Sequence, residues 1–277
     1  MARNLPVKRY LIEPGSKVRL RKTDPNDTSG FDGDKADGEK AIDANLRKLD
    51  PLQELLYAEH KHRLLLVLQG MDSSGKDGTI RRVFEGVNPE GVRVAHFGRP
   101  SEEELDHDYL WRAHKQIPGK GEIVIFNRSH YESVLVERVH GLVPESVWSK
   151  RYRQIVDFER MLDEEGTTIV KFFLHIDKKE QAKRFQDRLE DPTKHWKFSY
   201  LDYNERSYWK DYTQAYEEAL EKTSTEFAPW YVVPSNHPWF RDLVVSEVVV
   251  EALESLGMRY PKLDTEKAAF AADSAST

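Results

Sequence analysis

The sequence predicts an α/β protein built on a parallel sheet of about five strands, with helices on both faces. Short apolar runs alternate with helical periodicity along most of the chain. The first such run, residues 64–68, leads into a glycine-bounded turn and a lysine that opens a helix. Polar residues follow the later runs, and the carboxyl ends of parallel strands share one edge of a sheet. We therefore expect a three-layer sandwich with right-handed crossovers.

The turn after the first apolar run has the spacing of a phosphate-binding loop. Residues 70–76, GMDSSGK, fit G-x-x-x-x-G-K. Glycines let backbone N–H groups approach a phosphate chain, the lysine reaches its terminal oxygens, and the following helix directs its positive end at the anion. The alternative is a plain connection between a strand and a helix. Phosphate contacts are expected from Gly70, Ser73, Ser74, Gly75, Lys76, Asp77, Gly78 and Thr79.

Two carboxylates in this loop indicate a bound cation. Asp77 stands where a Ser or Thr usually follows the lysine and coordinates magnesium, and Asp72 lies inside the loop. Like charges about 4 Å apart repel by about 4 kcal/mol at intermediate dielectric, so a cation is needed between Asp72 and a phosphate. We therefore expect Asp72 to bind Mg²⁺. The alternative is that Asp72 stabilises the turn through its own backbone.

The second predicted strand, residues 91–97, indicates the acceptor side of the site. It ends at Phe97 and is followed by Arg99, which is placed where an acceptor phosphate would lie; a surface arginine is the alternative. Trp111 is either a core residue or a platform for a base. We expect nucleotide contacts from Phe97, Arg99 and Arg112.

The third predicted strand, residues 122–126, ends at the position of a Walker B group. Asn127 would be a neutral ligand for magnesium or its water shell, and Arg128 would clamp the transferred phosphoryl group. His130 is either an acid or base or a partner in a structural hydrogen bond. Glu137 is a second candidate metal ligand or part of a solvated helix face.

The remaining chain completes the pattern. Residues 1–33 predict an extended arm suited to packing across a neighbour, residues 34–261 form the domain, and residues 262–277 have a disordered composition. Residues 35–60 predict a helical pair with Asp50-Pro51 as an internal cap and restart. Further strands are expected at 167–176 and 230–233, and further helices at 145–164, 201–222 and 237–256.

A basic and aromatic segment, about residues 178–210, predicts a helical lid. Arg184 and Arg188 share one helix face, and the break at Asp191-Pro192 brings Lys194 and Lys197 onto the next segment. A lid would close these cations over phosphates. The alternative is a solvated helix with interleaved charges.

Composition narrows the class of protein. The 277 residues carry a formal net charge of −6, which argues against a general nucleic-acid binder but permits a local basic cleft. The sequence has no cysteine, no apolar run of membrane-spanning length and no signal-peptide pattern near Met1. A cytoplasmic protein without nucleic-acid or membrane partners is expected.

The chain resembles the polyphosphate kinase 2 family over nearly all of residues 35–260. The matching motifs, in order, are GMDSSGKDGT, FNRSHYE, LEDPTKHWKFSYLD and APW. The resemblance implies a P-loop kinase-like fold and magnesium-dependent phosphoryl transfer between inorganic polyphosphate and a nucleotide. It also implies a homo-oligomer, a dimer or a homotetramer. The implied catalytic set is Asp72, Lys76, Asn127 and Arg128, with Arg184, Arg188, Lys194 and Lys197 near the phosphate chain.

One departure bears on the acceptor. Much of the family carries Asp where this chain has Asn127, and the FNRSHYE version is similar to the class III subgroup, which is associated with phosphorylation of both AMP and ADP. Two other functions stay open from the residues alone. One is an ATP-dependent nucleoside monophosphate kinase, and the other is a catalytically silent phosphate-binding regulatory protein.

Overall fold

The computed structural model describes residues 5–197 and 200–263. Neighbouring strands pair in parallel in the order β2-β3-β1-β4-β5. The chain forms β2 and β3 on one side of β1 and β4 and β5 on the other, an arrangement that opens a crevice beyond the carboxyl end of β1. The five strands are β1 (Arg63–Gln69), β2 (Val92–His96), β3 (Ile123–Asn127), β4 (Thr167–His175) and β5 (Trp230–Pro234).

Helices connect these strands and cover the sheet. The α-helices are α1 (Lys35–Glu59), α2 (Lys76–Val83), α3 (Glu102–Leu105), α4 (Trp111–His114), α5 (Val136–Val139), α6 (Glu145–Glu164), α7 (Lys178–Glu190), α8 (Tyr200–Asn204), α9 (Trp209–Thr223) and α10 (Pro238–Ser255). Short 3₁₀ helices span Val7–Tyr10, Leu20–Lys22, Pro89–Gly91, His130–Val134, Pro192–Lys197 and Glu205–Tyr208.

The sheet separates two apolar cores, as the alternation of side chains along β1 requires. Leu64, Leu66 and Leu68 pack in one core with α1, α2 and α10. Leu65 and Val67 pack in the other core with α6 and α9. The predicted α/β sandwich of three layers is therefore confirmed.

The predicted helical pair at residues 35–60 is wrong, because α1 runs without interruption through Pro51. Leu49 and Leu56, on either side of Pro51, are both fully buried in the core shared with α10. Pro51 and Arg47 are exposed, so water can satisfy the carbonyl that the missing proline N–H leaves without a helical partner. Packing of the apolar face thus outweighs the local break.

The N-terminal segment, predicted to be an extended arm suited to packing across a neighbour, lies against its own chain. Leu11 forms an antiparallel bridge with Tyr231, and the Ile12 N–H donates to the Trp230 carbonyl at 2.8 Å. Leu5 and Leu20 are buried. The segment thereby covers the exposed edge of β5, which satisfies backbone groups that an edge strand would present to solvent.

Two other expectations concern the last third of the chain. The single helix predicted at residues 201–222 is wrong, because α8 and α9 are separated by the 3₁₀ turn Glu205–Tyr208. Within the predicted disordered tail, residues 264–277 lie outside the described part of the structure.

Among the described helices, none has the length and apolar character needed to cross a membrane.

Candidate active site

The predicted phosphate loop joins β1 directly to α2, and its glycines are required by their surroundings. Gly75 caps α2 with a φ of +105°. A Cβ there would lie 1.9 Å from Arg241 Nη1, so only glycine fits. Among described atoms, the buried hydroxyls of Ser73 and Ser74 have no hydrogen-bond partner. Buried polar atoms are normally paired, and unpaired donors in such a loop suit phosphate oxygens.

Lys76 is the buried cation of the loop. Its Nζ donates to the Gly70 carbonyl at 2.9 Å and lies 3.5 Å from the Met71 carbonyl. Burial, with a smaller contribution from Arg128, lowers the pKa of Lys76 to about 8, against the opposing charges of Asp72 and others. The ammonium is therefore destabilised where it sits, and an added phosphate would favour its charged form.

The carboxyl end of β3 lies beside this loop, as the predicted Walker B position requires. Leu68 and Asn127 are neighbours in the sheet, and the Arg128 N–H donates to the Leu68 carbonyl at 3.1 Å. Arg128 adopts a φ of +60°, and its guanidinium donates to Asp72 Oδ1 at 2.7 Å. The same guanidinium lies 3.6 Å from Glu132. The structure thus brings Lys76, Arg128 and Asp72 together.

The donor set at this edge fits a hard divalent cation. Asp77 and Asn127 are joined by a 2.7 Å hydrogen bond from the Asn127 amide, and Asp72 and Asp77 both lie within electrostatic range of Lys76. Magnesium is commonly held by one or two carboxylates together with substrate phosphates and water. In the described residues no group of three or more His, Asp or Glu could hold a metal. The candidate protein ligands are thus limited to the carboxylates of Asp72 and Asp77 and the amide oxygen of Asn127, with substrate phosphates and water completing the set.

Glu137, the third candidate metal ligand, is not brought to the loop. Its carboxylate accepts from Arg151 at 2.6 Å, and it does not line the cleft beside Asp72. Glu132, one turn earlier, lines that cleft instead. The spacing after β3 indicated an acidic residue near the loop, but the 3₁₀ helix His130–Val134 directs Glu132 there rather than Glu137.

Arg184 braces the loop from α7. Its guanidinium donates to the carbonyls of Ser73 and Ser74, each at 2.9 Å, and its Nε donates to Glu180 at 2.8 Å. Burial lowers the pKa of Arg184 despite that carboxylate. These contacts hold the backbone of the loop, so Arg184 is adjacent to the phosphate position but already bonded to protein.

A second brace, from α10, was missed by the sequence reasoning. Arg241 is buried, donates to both oxygens of Asp242 at 2.8 and 3.0 Å, and lies 3.5 Å from the Ser74 carbonyl. Asp242 accepts from the Thr79 hydroxyl at 2.9 Å, so that hydroxyl, expected at the phosphate, is bonded to α10. The available signal was the charged pair Arg241-Asp242, which comes directly before the mostly apolar residues 243–250.

The other cations of the predicted lid are not gathered at the loop by any described contact. Arg188 lies 5.5 Å from the Phe185 ring, and Lys194 pairs with Asp191 at 2.8 Å on the exposed 3₁₀ turn. The side chain of Lys197 lies outside the described residues. Their assignment to the phosphate chain stays a prediction.

The predicted nucleotide residues form a group after β2. Arg112 donates to the Gly98 carbonyl at 3.0 Å and lies 5.1 Å from the Phe97 ring. Phe97 is buried against Phe126, so it supports Arg112 from the core. Arg99 is exposed. Trp111 is only half-buried and stacks on His107, which favours neither of its two interpretations over the other.

A cleft opens between the loop, the end of β3 and α9. Its polar lining includes Arg128 with the paired carboxylates of Asp72 and Glu132, and α9 contributes an aromatic wall. The wall was missed because its residues have the same helical spacing as core residues. Lining residues include Asp72, Arg128, Glu132, Gln181, Glu205, Trp209, Tyr212 and Tyr216.

Comparisons with known proteins agree with this geometry. A model of the polyphosphate kinase 2 family matches residues 32–260. The chain is 58% identical over 259 residues to the AMP/ADP-polyphosphate phosphotransferase of Meiothermus ruber, covering 94% of this chain and 97% of that protein. It is 45% identical over 270 residues to the ADP-polyphosphate phosphotransferase of Rhodopseudomonas palustris, covering 93% of each.

A solved structure is similar over nearly the whole chain. The crystal structure of polyphosphate kinase 2 from Arthrobacter aurescens TC1 superposes with a TM-score of 0.92 at 44% identity, covering 98% of each chain. The loop, the β3 exit and the sheet order described above all fall within the matched residues. This chain belongs to the polyphosphate kinase 2 family.

Proposed function

We propose that the protein transfers a phosphoryl group between inorganic polyphosphate and AMP or ADP, forming ADP or ATP, and that the reaction is reversible. The observation that carries the proposal is the convergence of the buried Lys76 ammonium and the Arg128 guanidinium on one phosphate loop. Family membership and the printed activities of the two relatives support the choice of polyphosphate as donor.

Each residue has a role that follows from its charge and place. The loop N–H groups and Lys76 bind the transferred phosphoryl group, and Arg128 stabilises the charge that develops on it. Arg128 is paired with Asp72 in the free protein, and its guanidinium has more N–H donors than that one contact uses, so the same side chain can also donate to a phosphate. Asp72, Asp77 and Asn127 would hold Mg²⁺, which when bound would supply positive charge to offset that of the phosphates.

The acceptor and lid assignments rest on placement. Arg99 and Arg112 would contact the acceptor nucleotide, with Phe97 supporting Arg112. Arg188, Lys194 and Lys197 would follow the polyphosphate chain, and residues 178–210 would act as a lid on the domain. The neutral Asn127 and the AMP/ADP activity in the name of the Meiothermus ruber protein support acceptance of both AMP and ADP.

The proposal also covers the cellular location, the oligomeric state and the partners of the enzyme. We expect a cytoplasmic homo-oligomer, a dimer or tetramer, that acts on polyphosphate and adenine nucleotides without a nucleic-acid or membrane partner. The absence of cysteine and the net charge of −6 support this setting. Light scattering coupled to size exclusion measures the oligomer directly, and a monomer at working concentration would remove that part.

A donor exchange tests the proposed function against the ATP-dependent kinase alternative. Purified protein, Mg²⁺ and AMP are supplied with either long-chain polyphosphate or ATP, and nucleotides are separated by chromatography. The proposal predicts rapid formation of ADP and then ATP with polyphosphate, and slow transfer from ATP to AMP. Fast transfer from ATP and none from polyphosphate would assign the monophosphate kinase activity instead.

A further inference from the structure

The interior strand β4 is mostly apolar but contains one buried charged residue, Lys171. Lys171 lies between Val67 of β1 and Trp230 of β5 in the strand register, and its side chain is fully buried. A buried ammonium is costly unless it is paired and hydrogen-bonded. Lys171 Nζ meets this need by donating to Glu159 Oε2 of α6 at 2.6 Å and to the Thr223 carbonyl at 2.8 Å.

The same carboxylate holds the segment that follows Arg128. Tyr131 donates its hydroxyl hydrogen to Glu159 Oε1 at 2.9 Å, and His130 Nε2 lies 3.3 Å from that oxygen. Lys171 also lies 2.9 Å from the Tyr131 hydroxyl. Glu159 and His130 side chains are wholly inaccessible to solvent. Glu159 therefore binds two consecutive side chains that lie two and three residues beyond Arg128.

Electrostatics keeps this cluster charged. Burial alone would raise the pKa of Glu159, but the Lys171 ammonium and the His130 hydrogen bond outweigh burial and lower it. Burial lowers the pKa of Lys171, and the Glu159 carboxylate opposes that change. The other ring nitrogen of His130, Nδ1, has no partner among described atoms, so Glu159 is the polar anchor of that ring.

The backbone of the turn has further fixed points. Ser129 Oγ accepts from the Tyr131 N–H at 3.2 Å and from Gln69 Nε2 at 3.1 Å. Arg128 itself adopts φ +60°, a backbone conformation that a non-glycine residue keeps only where its surroundings fix it. The direction of the Arg128 guanidinium thus depends on how firmly the next three residues are held.

We propose that the buried Glu159 and Lys171 pair, acting through His130 and Tyr131, is a positioning device for Arg128 in the phosphoryl transfer reaction. The proposal rests on the proposed function. Buried ion pairs are weak sources of stability, because apolar side chains of similar volume often replace them without loss. Fixing one strained turn is a role that such a replacement would not fill.

The test is a double-mutant cycle on the full-length protein. The paired replacement Lys171→Met/Glu159→Gln removes both charges together and avoids leaving either one unpaired. We expect kcat for polyphosphate-dependent ATP formation from ADP to fall by about tenfold to a hundredfold. The KM values for ADP and polyphosphate should change little, because the loop and its braces are intact. In an Arg128→Ala background the same paired replacement should change kcat less than about twofold.

Two further variants keep the test decisive. Tyr131→Phe removes one hydroxyl while the ring still packs on Trp230, and it serves if the paired replacement does not fold. It should lower kcat in the wild-type background only. Asn45→Ala is the matched control, because it breaks a buried polar contact with Ser246 between α1 and α10. It should lower the melting temperature and leave kcat unchanged.

Two results would overturn the proposal. One is an equal fall in kcat in the wild-type and Arg128→Ala backgrounds, which would mean an effect independent of Arg128. The other is a fall in melting temperature with unchanged kcat, which would leave the cluster a structural one. Both results require a wild-type enzyme that is active with polyphosphate. Failure of the proposed function is a different observation, because the wild type would then form no product from polyphosphate in the donor-exchange assay.

Discussion

Lys76 shows how one residue can carry a charge that its surroundings disfavour. Its ammonium is buried beside a second cation, Arg128, and hydrogen bonds to loop carbonyls and the charges of nearby carboxylates offset this only in part. A bound phosphate chain would replace those carbonyls with full negative charges. The cost of burying Lys76 in the free enzyme is thus recovered when substrate binds, which suits a group aimed at a transferred phosphoryl.

The pH dependence of catalysis should report this residue. Because the pKa of Lys76 is lowered to about 8, the free enzyme loses the ammonium as pH rises through 8, and kcat/KM should fall there. The kcat profile should fall at higher pH, because bound phosphate favours the charged amine. In Lys76→Arg the alkaline fall in kcat/KM should disappear, since guanidinium stays charged. A fall near pH 8 that survives in Lys76→Arg would assign it to another group.

The lowered pKa of Lys76 affects stability and activity in opposite directions. As pH rises, activity should fall while the contribution of Lys76 to the free energy of unfolding rises. The folded pKa lies below the ordinary value of 10.5, so the unfolded chain binds more protons between pH 8 and 10.5. The contribution of Lys76 to the free energy of unfolding therefore rises over this window.

Asp72 has two roles that one substitution can separate. Asp72→Asn should raise the Mg²⁺ concentration needed for half-maximal activity by about tenfold, because hard cations prefer charged oxygen ligands. The exposed Asp157→Asn on α6 is the control. If the magnesium titration of Asp72→Asn matches wild type while kcat falls, Asp72 serves to hold Arg128 and the metal role is excluded.

At the scale of elements, the sequence pattern predicted the strands, helices and turns whose structure depends mainly on neighbouring residues. The strands, the helix at residues 145–164 and the loop were predictable because apolar periodicity and glycine spacing determine them. The failure at Pro51 arose where packing of the apolar face of α1 outweighs a break in the chain-local pattern, and the helix predicted at residues 201–222 is divided by the turn Glu205–Tyr208. The bracing of the loop by Arg241 and Asp242 was not predictable, since α10 and the loop are far apart in sequence.

The uninterrupted α1 gives an element-scale prediction. Pro51→Ala should raise the free energy of unfolding by about 1–3 kcal/mol, because alanine restores a helical hydrogen bond and removes the ring clash. Activity should not change, since Pro51 is exposed on a helix remote from the loop. Urea unfolding measures the difference, and a destabilised Pro51→Ala protein would contradict the expected cost of a proline inside α1.

At the scale of the whole molecule, net charge and site charge have opposite signs. The chain carries −6, yet the loop, the end of β3 and α7 bring the cations Lys76, Arg128 and Arg184 close together. Screening by salt allows a negatively charged protein to bind a polyanion at a positive site, because charges further than about 8 Å apart interact weakly at physiological salt. A polyanion would therefore be attracted by the nearby cations more than it is repelled by the distant acidic surface.

Salt should accordingly weaken polyphosphate binding more than ADP binding. Raising the salt concentration should increase the KM for long polyphosphate steeply, because each cation contact releases counterions. Arg188→Ala/Lys197→Ala should flatten that dependence, and Lys40→Ala/Lys48→Ala on α1 should not. Parallel salt curves for wild type and the lid variant, with ADP affected equally, would remove these residues from the polyphosphate path.

The central claim is that polyphosphate is the phosphoryl donor and that transfer occurs at the Gly70–Lys76 loop. Phosphorus NMR of wild type and Lys76→Met, each with ADP, Mg²⁺ and polyphosphate but no ATP, tests both parts in one experiment. We predict that the wild type converts polyphosphate phosphorus to ATP, while folded Lys76→Met is slower by about a hundredfold or more. Equal rates in the two proteins, or no ATP from the wild type, would contradict the account.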